Sequence, residues 1–182
     1  MNTGAGHVIL MGLRGAGKSS VGRLLARGLN RPFADLDDLT AATLNAPTPA
    51  DALRTLGEPA FRQGEARALR AALAHAHPRV LALGGGTPTW PDSADMLRDH
   101  RSRSAGLLVY LHAAPAALMH RLEQTDLAQR PALLGKDPLA EVATLYDRRD
   151  PLYRQLADLV VDTAQESPEQ TAERVARLLA KP

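Results

Sequence analysis

The chain contains no cysteine, which excludes disulfide bridges and zinc–thiolate centres. It has no apolar run of the length that spans a bilayer. Its start, Met1-Asn2-Thr3-Gly4, lacks the basic and apolar regions of a secretory signal. It has no excess of one charge either: 22 Lys and Arg stand against 20 Asp and Glu, interspersed along the chain, for a formal net charge of +2. That balance argues against a nucleic-acid or membrane surface as the main partner. Internal repeats, linkers and low-complexity tracts are missing too. What remains is the expectation of a cytoplasmic protein that works as a monomer on small molecules.

What is present suits a single domain over residues 1–182. With 182 residues and 45% hydrophobic content, a chain of this size buries about 70% of its unfolded surface. The cations are nearly all arginine, whose planar fork matches carboxylate and phosphate, although high genomic G+C accounts for the bias equally well. Short apolar runs alternate with helical patterns, the sequence form of a parallel sheet wrapped by helices. Strands are expected at 7–11, 32–35, 79–83, 105–111 and 158–162. Helices are expected near 18–29, 59–76, 92–99, 115–124, 138–147 and 168–180, with one or two short ones between 38 and 56. Pro59, Pro115 and Pro168 occupy first-turn positions, and Ser167-Pro168-Glu169-Gln170 reads as a capping box. The stretch from Thr125 to Pro131 has little apolar periodicity and is a candidate mobile flap.

The strongest local signal is Gly12-Leu13-Arg14-Gly15-Ala16-Gly17-Lys18-Ser19, set between the apolar run His7–Met11 and the helical pattern of Val21, Leu24, Leu25 and Leu29. This is a phosphate-binding loop. Glycines let successive backbone N–H groups turn toward the β and γ phosphates, Lys18 adds positive charge, and the Ser19 hydroxyl suits Mg²⁺. The following helix points its N-terminal dipole at the same anion. ATP contacts are expected from Gly12, Gly15, Ala16, Gly17, Lys18, Ser19 and Ser20. Gly4-Ala5-Gly6 precedes the first strand and reads as a flexible terminus.

Three further groups carry candidate chemistry. In Phe33-Ala34-Asp35-Leu36-Asp37-Asp38, strand alternation points Asp35 and Asp37 to one side at a strand's C-terminal end, where open α/β sheets bind ligands. Asp37 would then orient or deprotonate an acceptor hydroxyl, and Asp35 would hold a magnesium-bound water; capping of the next helix is the alternative. Gly84-Gly85-Gly86 follows Val80–Leu83 and removes side chains where a polar ligand meets backbone, or makes a tight turn. Gly57-Glu58-Pro59-Ala60-Phe61-Arg62-Gln63-Gly64-Glu65 opens a helix with Phe61, Arg62 and Glu65 on adjacent faces, where Arg62 and Glu65 suit a surface i, i+3 ion pair. His75, His77, His112 and His120 lack acidic companions at ligand spacing and read as surface residues. Tyr146 and Tyr153 are expected to pack the long helix on the sheet, and Trp90 is a candidate hydrophobic anchor near the acceptor.

Taken in order, Gly12–Ser19, Asp35-Leu36-Asp37, Gly57-Glu58 with Phe61, Arg62 and Glu65, Gly84–Gly86, Arg130-Pro131, Arg149-Asp150-Pro151-Leu152-Tyr153 and Val161-Asp162-Thr163 resemble shikimate kinase across almost the whole chain. The resemblance implies a three-layer α/β/α fold of nucleoside monophosphate kinase type, with a five-stranded parallel sheet, a lid near 125–137 and an acceptor segment near 35–65. It implies Mg²⁺- and ATP-dependent phosphorylation of the shikimate 3-hydroxyl. Lys18, Asp37 and Arg130 would be catalytic. Arg62 and Arg149 would hold the substrate carboxylate beside Gly84, Gly85 and Gly86, with Glu65 orienting Arg62 and Phe61 walling the ring. Ser19 would bind the metal directly and Asp35 through water. Arg130 would reach the phosphates from the lid, and Arg121 and Pro168 would flank adenine.

Three positions depart from the family pattern: Thr40 and Ala41 replace the usual isoleucine and glutamate, the lid reads Arg130-Pro131-Ala132-Leu133-Leu134, and Pro47 and Pro49 shorten the helix after Asn45. Two rivals follow. Gluconate is also a hydroxylated carboxylate, so a gluconate kinase would need the same arginines. A catalytically silent nucleotide-binding module is the other, disfavoured by the joint retention of Lys18, Ser19, Asp35, Asp37, Arg62, Arg130 and Arg149.

Overall fold

The computed structural model describes residues 6–103, 106–124, 139 and 141–180. The elements run β1 (His7–Met11), α1 (Lys18–Gly28), β2 (Phe33–Asp35), α2 (Leu36–Thr43), α3 (Pro49–Leu73), β3 (Val80–Ala82), a 3₁₀ turn (Thr87–Thr89), α4 (Pro91–Ser102), β4 (Gly106–His112), α5 (Pro115–Glu123), α6 (Glu141–Leu156), β5 (Leu159–Asp162) and α7 (Pro168–Leu179). All five strands are parallel, in the order β2-β3-β1-β4-β5. Parallel neighbours need crossover helices, which cover both faces and explain why β1, the central strand, is buried at every position.

Topology places the ligand crevice. The chain leaves β1 toward β2 on one side but leaves β3 toward β4 on the other, so right-handed crossovers send α1 to one face and α3, α4 and α6 to the opposite face. Packing of α1 on α7 and of α3 on α4 agrees with that division. Because β1 and β3 are neighbours whose connections diverge, their C-terminal ends open a switch-point crevice. The phosphate loop follows β1 and the triple glycine follows β3, so both discharge into it. Under them lies a core of Ile9, Leu10, Met11, Leu81, Leu108, Leu111 and other buried side chains.

Several local expectations change. α3 begins at Pro49, with Thr48 as N-cap, and carries one non-helical residue, Gly57 at φ 78°, ψ 165°, which divides it into two arms. It ends at Leu73, so His75 and His77 lie beyond it in a turn closed by the His77 amide on His75 Nδ1 at 3.2 Å. α6 runs nine residues past its expected end, through Pro151. Both Pro151 and Asp147, whose carbonyl loses its helical partner, are exposed, so the interruption falls on the solvent side of the helix. The capping box is present in full: Ser167 Oγ accepts from Gln170 N and Gln170 Oε1 accepts from Ser167 N. The proposed flap at Thr125–Pro131 and the whole lid, Arg130 included, lie outside the described residues. Among those described, no helix is long and apolar enough to cross a membrane.

Candidate active site

The phosphate loop turns from β1 into α1 with Gly15 and Gly17 at positive φ, Gly17 being the helix N-cap. Lys18, the first helical residue, folds back so that Nζ donates to Gly12 O at 2.9 Å and Leu13 O at 3.1 Å, spanning the loop. Ala16 is buried beneath it and Ser20 faces solvent. Ser19 Oγ donates to Asp35 Oδ2 at 2.6 Å, which joins the loop to the end of β2.

Asp35 and Asp37 do converge on the crevice, but not by strand alternation. β2 is only three residues long and stops at Asp35, whose Oδ1 accepts from the Asp37 backbone N–H at 3.1 Å. Asp35 is therefore the N-cap of α2, and Asp37 stands in the first helical turn. One Asp35 carboxylate oxygen caps the helix while the other meets Ser19. Burial raises the Asp37 pKa to about 6, with the neighbouring negative charge of Asp35 adding to it and Lys18 opposing.

The triple glycine is the point where the distant residues meet. A Cβ on Gly84 would lie 2.6 Å from Asp37 Oδ1 and 2.9 Å from Glu65 Oε1, and one on Gly86 would lie 2.7 Å from Arg62 Nη2. From the position of a Cβ on Gly85, Arg14 N is 3.6 Å away and Gly12 O 3.7 Å, so the acceptor side touches the phosphate loop directly. Arg62 is not on the surface: its Nη1 donates to Glu65 Oε2 at 3.0 Å, with side chains 13% and 1% exposed. Glu65 in turn accepts from the buried Thr87 hydroxyl at 2.7 Å, and Glu58 approaches the other arm of Arg62 at 3.4 Å. Phe61 is buried outside the main core, with the Arg62 guanidinium 5.7 Å from its ring centroid. From α6, Arg149 Nη1 donates to Gly85 O at 2.9 Å, and the Tyr153 hydroxyl donates to the same carbonyl.

On the nucleotide flank, Arg121 reaches from α5 to Gly15 O at 3.4 Å and to Thr163 Oγ1 at 3.0 Å, and also donates to the Thr163 carbonyl. Pro168 opens α7 just beyond that turn. Trp90 is half-buried ahead of α4.

Sequence reasoning gave no role to Thr87, to Thr163 or to the hydroxyl of Tyr153, which the sequence presents only as a packing residue. It also misplaced His112, which is half-buried and faces Asp162 at 3.3 Å and Asp150 at 3.9 Å. His112 and Asp162 are register partners on β4 and β5, a pairing that only the folded sheet reveals, because His112 stands one residue past the expected strand 105–111. A surface cavity of about 660 Å³ lined by Arg23, Arg27, Arg31 and Phe33 lies at the other end of α1.

A family model described as Shikimate kinase matches residues 14–180. The shikimate kinase of Burkholderia thailandensis is 40% identical over 161 residues, covering 88% of this chain and 83% of its own. Among solved structures, the shikimate kinase from Acinetobacter baumannii in complex with shikimate aligns with a TM-score of 0.83 at 30% identity, over 96% of this chain and 93% of that one. A gluconokinase from Sinorhizobium meliloti, at 22% identity and a TM-score of 0.62 over 96% of this chain and 93% of its own, shares the fold.

Proposed function

The chain belongs to the shikimate kinase family, and from that premise we propose that it transfers the γ-phosphoryl group of ATP to the 3-hydroxyl of shikimate, giving shikimate 3-phosphate and ADP. One observation carries the assignment of roles: Asp37, Arg62 and Arg149 meet at Gly84–Gly86, in contact with the phosphate loop. An acceptor with a carboxylate at one end and hydroxyls at the other calls for cationic forks and an acid, and the gathering of these three side chains supports that reading.

Arg62 and Arg149 take the carboxylate. Glu65 and Thr87 hold Arg62 in place, Phe61 walls the apolar side of the ring, and the amides of Gly84, Gly85 and Gly86 meet the remaining polar atoms. Asp37 aligns the 3-hydroxyl for in-line attack. The new bond joins that oxygen to the γ phosphorus, the bond from the γ phosphorus to the β,γ-bridging oxygen breaks, and the hydroxyl proton passes to Asp37, whose raised pKa suits it to receive one. Lys18 and the loop N–H groups from Gly12 to Ser20 meet charge on the phosphates, Arg130 adds to it from the lid, and Arg121 and Pro168 flank the adenine. The hard oxygen donors of Ser19 and Asp35 fit Mg²⁺, which takes one or two protein oxygens and completes its shell with phosphate and water. Bound there, it would supply charge neutralisation for the phosphates. The reading describes one kinase domain over 1–182, with a lid near 125–137 and an acceptor segment near 35–65, working as a monomer in the cytoplasm.

The test is ADP release from Mg·ATP with shikimate, with gluconate and with no acceptor. Stimulation by shikimate alone is expected. Stimulation by gluconate would keep the kinase and replace the acceptor, and no stimulation by either would return the silent module.

A further inference from the structure

α6 sends two rows of side chains toward the sheet. Arg149 and Tyr153 meet Gly85 O. On the adjoining face Tyr146 and Asp150, four residues apart, meet the C-terminal end of β4, where His112 is the hub. Its Nε2 is 2.9 Å from the Tyr146 hydroxyl and 3.9 Å from Asp150 Oδ1, and its Nδ1 is 3.3 Å from Asp162 Oδ2. Tyr110, on the same strand, donates its hydroxyl to Asp150 Oδ1 at 2.9 Å and packs edge-on against both His112 and Tyr153. Arg154 holds the other Asp150 oxygen at 2.8 Å. Burial pulls the Asp150 pKa up, but hydrogen bonds from Arg154 and Tyr110 outweigh it and keep the carboxyl below its ordinary range, so an ionised group faces the imidazole. Of these side chains, His112, Tyr146, Asp150, Tyr110 and Arg154 have no part in the transfer described above.

We propose that His112, Tyr146 and Asp150 form a positioning cluster that sets the rotation of α6 and so aims the Arg149 guanidinium at the acceptor carboxylate. This rests on the reading of Arg149 as a carboxylate ligand. Consecutive residues on a helix are about 100° apart, so the contact that fixes the azimuth of Asp150 fixes that of Arg149 as well. A rotation that loosens the Tyr146 and Asp150 row swings Arg149 away from Gly85 and weakens its charge-assisted bonds to the acceptor carboxylate. The nucleotide flank is tied to the same residue by a different atom: the His112 backbone carbonyl accepts from Thr163 N at 2.8 Å and Thr163 Oγ1 at 3.1 Å, and Thr163 holds Arg121. Replacing the ring leaves that carbonyl in place. The cluster therefore acts on acceptor affinity and spares ATP.

The experiment compares His112→Ala, His112→Asn and His112→Gln, each alone and combined with Arg149→Ala, by steady-state ADP release with both substrates varied. Asparagine keeps a donor near the Nδ1 position, toward Asp162; glutamine carries one toward the Nε2 position and α6. The Ala and Asn variants should lower kcat/KM for shikimate by about tenfold through KM, with kcat and the KM for ATP unchanged. Glutamine should restore most of the loss, and all three effects should vanish in the Arg149→Ala background. An undiminished effect in that background, equal behaviour of Asn and Gln, or a rise in both KM values would overturn the positioning role while leaving Arg149 as a ligand. If Arg149→Ala alone left the KM for shikimate unchanged, the carboxylate reading would fail and take the cluster with it. Should His112→Ala not fold, as judged by circular dichroism, the contrast of Asn with Gln decides.

Discussion

From Gly12 to Ser20 the chain gathers all its proposed phosphate contacts but Arg130 within nine consecutive residues, whereas the proposed acceptor pocket draws on Asp37, Arg62, Glu65, Gly84–Gly86 and Arg149, carried by α2, α3, the loop after β3 and α6. The first is made of backbone: a tight turn, a helix start and one lysine that spans it. The second is made of side chains that touch only because the sheet places β2, β3 and β1 side by side. Phosphate is recognised the same way whatever is phosphorylated, so a local device suffices. A particular carboxylic acid requires charges at set separations, and those come from tertiary packing.

Lys18→Ala should break the nucleotide side most severely, with turnover falling by roughly 10²- to 10³-fold or more in an ADP-release assay; near-normal activity would undo the loop assignment. Arg62→Ala should split the two sides, weakening shikimate binding by roughly 2 to 5 kcal/mol while ATP affinity holds. Titration calorimetry with each ligand reads this, and equal weakening of both would contradict a carboxylate role. Gly84→Ala places a Cβ against the two carboxylates of Asp37 and Glu65. Such overpacking costs about 1 to 3 kcal/mol, expected as a raised KM for shikimate alone.

The Asp37 shift gives a pH test with a definite sign. The ionised form receives the proton, so kcat/KM for shikimate should fall about tenfold per unit as pH drops below about 6. The same shift means that the folded state binds an extra proton between the ordinary carboxyl range and about 6, so stability is lost as pH rises through that window. Asp37→Asn should therefore lower kcat and raise Tm above pH 6; a lowered Tm there would show that the ionised carboxylate stabilises the fold. The smallest effect lies away from the acceptor pocket: Ser167→Ala removes the α7 cap, costs about 1 kcal/mol of stability and leaves the KM for shikimate in place.

The same contrast explains what could be read in advance. All five strands were legible because each is a short apolar run between helical patterns, and the phosphate loop was legible because its geometry is encoded by adjacent glycines. Asp35 and Asp37 were found for a reason that proved incomplete: alternation presumes a strand, and the Asp35 side chain ends the strand by capping a helix. Arg62 and Glu65 stand at a spacing that suits a surface pair equally well, and only the approach of α3 to the triple glycine buries them. His112 escaped because its partners lie on β5 and α6, and no spacing along the chain reports a strand register.

The joint at Gly57 has a meaning for anyone who rewrites this chain. Its dihedral pair, φ 78° and ψ 165°, falls in a region that side chains enter only at a cost of order 1 to 3 kcal/mol. An added Cβ would meet nothing closer than Pro59 Cδ at 3.9 Å, so the restriction is torsional and not one of space. In an exhaustive substitution scan, position 57 would appear as an isolated intolerant column among permissive, solvent-facing neighbours such as Leu56 and Glu58. The arm beyond it carries Phe61, Arg62 and Glu65, and the hinge that sets that arm's direction has an alphabet of one letter.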